Sequence, residues 1–211
     1  MAAAAAAAFG ALAGLVASGA LTGLDQWAVD HAMPFAGPPG SPPTLAESVV
    51  PLLHATFHPA GAGVAEIVTL PGQVVLSFLL VVAAAWKLRN ANWIAAWAAA
   101  VAVELVFRHT MDRPALYRHG IHLVAFDTSW PSGHALRGAL VAAAVAAAWP
   151  RLRILLGIWL VATVLLLELA GFHAPTDIAG GLILAIAAVS LERSGLLGRG
   201  PARPGGALGE R

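Results

Sequence analysis

The sequence predicts an all-α membrane protein, a polytopic bundle of about six transmembrane helices. Three observations carry this. Of the 211 residues, 59% are hydrophobic and 11% charged, and the mean hydropathy is +0.77, well outside soluble averages. The apolar residues fall in long runs, each near the length that crosses a bilayer core. The charges gather in the connections between those runs, with opposite biases on alternate sides. A net charge of +1 gives no case for a nucleic-acid partner. With no cysteine there is no disulfide, thiol nucleophile or thiolate metal site. One domain is expected over 1–192, followed by a disordered, Gly/Pro/Arg-rich tail over 193–211.

The elements follow in order. Residues 2–24 are uncharged and long enough to span. No Lys or Arg precedes them and they are long for a signal peptide, so a retained first span is expected. Residues 25–68 read as a long outer segment. Its Pro-Pro-Gly-Ser-Pro-Pro run at 38–43 forbids regular structure. Thr44 to Glu47 reads as a capping box before an interfacial helix. Spans are then expected at 68–86, with Pro71-Gly72 near its start, and at 93–107, 135–149, 154–172 and 178–191. Lys87, Arg89, Arg151, Arg153, Arg193, Arg199, Arg203 and Arg211 collect on one side, and Asp25, Asp30, Glu47 and Glu66 on the other. The positive-inside rule puts both termini in the cytoplasm.

The chemistry concentrates where residues 127–137, Asp-Thr-Ser-Trp-Pro-Ser-Gly-His-Ala-Leu-Arg, open the fourth span. Polar groups at the head of a membrane segment are costly without a function. A helix capped by Ser132 would aim the Ser132, Gly133 and His134 amides at one point, an anion site. An ordinary helix cap beside a chance histidine fits this stretch equally well. The second histidine decides between them. One helix down and one back returns His173 to the face on which His134 began, and Asp177, four residues on, shares its side. Two histidines, one with a carboxylate and one beside an anion cradle, point to phosphoryl transfer. The extracytoplasmic side, opposite the basic loops, is the expected face.

Pro-Ser-Gly-His at 131–134, followed by His173 and Asp177 as His-x-x-x-Asp, resembles the type 2 phosphatidic acid phosphatase superfamily, which is related to the vanadium haloperoxidases. The resemblance covers about residues 108–181, in the family's order of motifs. It implies a membrane lipid phosphatase that needs no metal or other cofactor. His173 would be the nucleophile, Asp177 its partner and His134 the general acid. Arg113, before Pro114, would match the family's Arg-Pro. The chain departs from the pattern twice: the family's Lys slot holds Val106, and its Ser-Arg slots hold Leu166 and Leu167.

The remaining site candidates are phosphate-gripping groups: Arg108, Arg113, Ser132, Gly133 and Arg137. Glu104 and Arg108 are a favourable i,i+4 pair. Arg137, three residues after His134, is expected to reach the phosphate and replace the missing cation, or else to pair with Glu168, an acid inside the fifth span. Arg118, His119 and His122 read as solvated, and Trp27, Trp86, Trp93, Trp130 and Trp149 as an interfacial belt. His31, His54 and His58 lack convincing metal-ligand spacing. The expected partners are a lipid phosphate or polyprenyl pyrophosphate substrate and membrane lipids, with oligomeric state open. A degenerate lipid-phosphate binder, a proton-coupled transporter and an intramembrane protease using Ser132 are the competing classes. The transporter should place its polar groups near the midplane, and the protease normally carries Gly where Trp130 stands.

Overall fold

The structure is a computed structural model and describes residues 1–33 and 60–194. It is an all-α bundle of eight helices among the described residues. They are α1 Ala2–Ala17, α2 Thr22–His31, α3 Ala60–Thr69, α4 Val74–Leu88, α5 Asn92–Thr110, α6 Gly133–Ala148, α7 Arg153–Leu169 and α8 Pro175–Arg193. A hairpin pairs Tyr117–Arg118 with Ile121–His122 through a turn in which His119 and Gly120 both have positive φ, the geometry a tight hairpin needs. The Pro run, the capping box at 44–47, the interfacial helix, His54, His58 and the tail beyond Ser194 lie outside the described residues.

α6 and α8 form the centre. α6 packs on α4, α7 and α8, while α8 also holds α1 and α5. α6 has residues buried on nearly every side, Leu136, Leu140, Val141 and Ala144 among them, as expected of a central helix. The main apolar core joins these to Phe9, Val16, Trp93 and Trp97. α7 lies at the periphery, with Ile154, Leu155, Ile158, Val161 and Leu165 exposed on one face. A run of large apolar residues facing outward suits lipid.

Two expected spans are broken. The first helix ends in a turn at Gly19 (φ 77°), and α2 continues at 77° to it. The second bends by 47° at the turn Leu70–Gly72, because Pro71 supplies no amide to continue the ladder. By length and composition, α7 with its preceding turn and α8 can cross a membrane, and up to four spans result if each bent pair counts as one. Six were expected from the apolar runs. α6 has only 16 residues, and α5, though 19 residues long, carries Glu104 and Arg108 among weakly hydrophobic alanines.

Candidate active site

The site is built where α6 and α8 begin. Trp130, joined to Pro131 by a cis bond, anchors the approach to α6. It is 2% exposed, its ring packs in a three-ring cluster with Phe9 and Phe107, and its Nε1 donates to the Thr176 carbonyl at 3.2 Å. Trp130 and Trp93 are therefore core residues, whereas Trp27 and Trp86 are exposed as a belt requires. Ser132 caps α6, its Oγ accepting from the Ala135 amide at 3.3 Å. Its own amide is not free as the sequence suggested, because it donates to the Asp177 carbonyl at 2.9 Å and ties the two helix starts together. The Gly133 and His134 amides remain in the first turn, where a helix offers them no acceptor.

Gly133 and Gly181 are required by close approach. A Cβ on Gly181 would run into the Ser132 carbonyl, and one on Gly133 would occupy the space of Glu104 Oε1 and the Arg137 guanidinium, whose nitrogens lie 2.6 Å away.

The two histidines meet. Their ring centroids are 5.9 Å apart, with an interplanar angle of 54°. His173 sits in the turn between α7 and α8 and is 6% exposed. Its Nδ1 lies 3.7 Å from Asp177 Oδ2, an ion-pair distance too long for a hydrogen bond, and has no other polar partner. Such contacts are often loose before substrate binds. His134 Nε2 is held at 2.9 Å by the side-chain amide of Gln73, a residue sequence reasoning missed. Because an amide nitrogen only donates, Nε2 accepts there, and a neutral His134 carries its proton on Nδ1.

Three expectations about charge need correcting. Arg113 is not available to grip phosphate. Its side chain is 3% exposed, it donates to Asp177 Oδ1 and Ser129 Oγ, and it pairs with Asp25 Oδ2 at 2.8 Å. Arg137 pairs with Glu104, not Glu168, and its Nε donates to the Gly72 carbonyl at 2.7 Å. It touches Gly133 but is buried and neutralised there. Glu104 lies on the inner face of α5, whereas Glu168 is only half-buried near the end of the peripheral α7. Arg118 donates to the Met33 carbonyl, and His122 Nε2 pairs with Asp127 at 2.9 Å, so neither is simply solvated. Arg108 remains the accessible cation of the group, one-third exposed and 3.5 Å from Glu104. In the slots that depart from the family, Leu167 is fully buried against Ala135 and Ile178.

Asp25 was also missed. The outer segment expected over 25–68 would expose it, yet it is 1% exposed and accepts from both the amide and the hydroxyl of Thr176, at 3.2 and 2.6 Å. An isolated acid directly after an uncharged run was the available signal. Among the described residues no group of three or more His, Asp or Glu has metal-binding geometry. No family model matches the chain, and neither a curated protein nor a solved structure does.

Proposed function

We propose that this protein is a membrane phosphatase that hydrolyses lipid phosphate or polyprenyl pyrophosphate esters through a phosphohistidine, as a type 2 phosphatidic acid phosphatase would. The observation that carries the reading is the pair of facing imidazoles at the head of α6, with Asp177 behind one and the free first-turn amides beside the other.

In the first step His173 Nε2, the nitrogen away from Asp177, bonds to phosphorus while the phosphorus–alkoxide bond breaks. The alkoxide takes a proton from His134, and His173, keeping the proton on Nδ1, becomes a phosphoimidazolium. In the second step water attacks phosphorus, His134 takes its proton, and the nitrogen–phosphorus bond breaks. Arg108, the Gly133 amide and the Ser132 hydroxyl supply charge and donors for the phosphoryl oxygens. The basic loop end, Lys87 and Arg151, is proposed to face the cytoplasm, which puts the histidines on the extracytoplasmic side and both termini inside.

A second reading, lipid-phosphate binding without turnover, is favoured by the engagement of Arg113 with two carboxylates and by Leu167 where the family carries Arg. Phosphate release from phosphatidic acid, phosphatidylglycerol phosphate and polyprenyl pyrophosphate by the purified protein in detergent separates the two. Release from one of them supports hydrolysis. Binding of all without release supports the second reading.

A further inference from the structure

We infer that Asp25 is a positioning residue for His173, acting through Arg113 and Asp177. The inference rests on the phosphohistidine reading for its effect on rate, whereas its geometric part stands alone.

Asp25 and Asp177 share one guanidinium, Arg113, so with both acids ionised the cluster carries one more negative charge than positive. Both carboxylate side chains are almost wholly buried. The other groups bonded to them are neutral: the Ser129 hydroxyl, the Thr176 hydroxyl and amide, and the Ala174 amide at 3.0 Å from Asp177 Oδ2. Uncompensated charge in such a place is costly unless a cation completes it. The titratable group next to the cluster is His173, whose buried Nδ1 lacks a hydrogen-bond partner and faces Asp177 Oδ2. A phosphoimidazolium carries the positive charge that balances the count.

Asp25 matters in two ways. Without its charge, Arg113 and Asp177 would neutralise each other, and His173 would face a balanced pair. Without its oxygen, the second Arg113 nitrogen would lose its partner and be free to draw on Asp177. Asp25 holds Arg113 to the Oδ1 side, so that Oδ2, which also accepts from Ser129 Oγ and the Ala174 amide, is the oxygen that faces His173. Asp25 lies in the first turn of α2, where an acid suits the helix dipole, but its side-chain partners are far along the chain, at Arg113 and Thr176.

The experiment compares Asp25→Asn and Asp25→Glu with the unaltered chain, in detergent, by two readouts. One is the Nδ1–H resonance of ¹⁵N-labelled His173. The other is kcat and KM on whichever lipid phosphate the protein hydrolyses. Asp25→Asn is expected to move the resonance and to lower kcat at least about tenfold with KM nearly constant, and Asp25→Glu to restore much of both. A variant that melts earlier but keeps the resonance and kcat would make Asp25 merely structural and overturn the inference. Should Asp25→Asn fail to fold, Thr176→Val removes one clasp on Asp25 and keeps every charge. A several-fold fall in kcat would then support the proposal, and an unchanged kcat and resonance would overturn it. If the unaltered protein hydrolyses no phosphate ester, the phosphatase reading fails, while the resonance still decides the role of Asp25.

Discussion

His173 and His134 carry different burdens, and their substitutions should differ accordingly. His173→Ala removes the proposed nucleophile and is expected to abolish turnover of every substrate. His134→Ala removes the acid, which matters most for a poor alkoxide leaving group. The expected result is a large loss on lipid phosphates and a much smaller one on nitrophenyl phosphate, read as the ratio of the two rates. Equal losses would exclude His134 as the acid. Gln73 fits that role, since its amide donates to an unprotonated Nε2 and, rotated, its carbonyl accepts from a protonated one. The Glu104–Arg137 pair makes a separate prediction about stability. Glu104→Ala leaves the buried Arg137 without its carboxylate and should cost about 3–5 kcal/mol. The Glu104→Ala/Arg137→Leu double variant should recover part of it, as measured by unfolding in detergent. The histidines were legible because two apolar runs of similar length had to return to one face. Asp25 was not, because its burial depends on the break at Gly19 and on partners far along the chain.

At the scale of the helices, the contact between α6 and α8 decides whether the site exists at all. Gly181 lets the two helix starts touch through the Ser132 carbonyl, and the Ser132 amide bonds to Asp177 across the same contact. Gly181→Ala should cost about 1–3 kcal/mol, since backbone rather than a mobile side chain must yield. Gly157→Ala on α7 meets nothing within 4 Å and should be neutral or stabilising by up to about 1 kcal/mol. Thermal melting of the two variants side by side checks this; similar destabilisation would contradict the packing. The periodic apolar runs gave the helices of the second half closely. α8 begins at Pro175 and α7 at Arg153, each within three residues of the expected starts. The first half was less legible. Hydropathy counts residues but is blind to direction, so it carried one helix across Gly19 and blurred the Pro71–Gly72 bend. Neutralised charges misled in the same way. An arginine in a sequence looks available, but Arg113 and Arg137 are spent on acids from other elements.

For the whole molecule, the proposed orientation predicts accessibility. The chain has no cysteine, so single cysteines can be read without background. Tyr117→Cys in the hairpin should react with an impermeant thiol reagent on intact cells, and Arg151→Cys at the opposite end only after permeabilisation. The reverse pattern would invert the topology. The chemistry of the site makes a companion prediction. Arginine and backbone amides, rather than a metal, neutralise the phosphoryl oxygens in the proposed mechanism, so EDTA should leave phosphate release unchanged. Loss of activity restored by a divalent cation would contradict that. The proposed mechanism requires covalent chemistry at one nitrogen, His173 Nε2. Rapid acid-free quenching of the purified protein with ³²P-labelled lipid phosphate tests it most directly. A phosphohistidine intermediate requires a protein-bound phosphoryl group that is stable to base and labile to acid, and that is absent in His173→Ala. Label that survives acid, or that persists when His173 is replaced, would contradict the phosphohistidine mechanism.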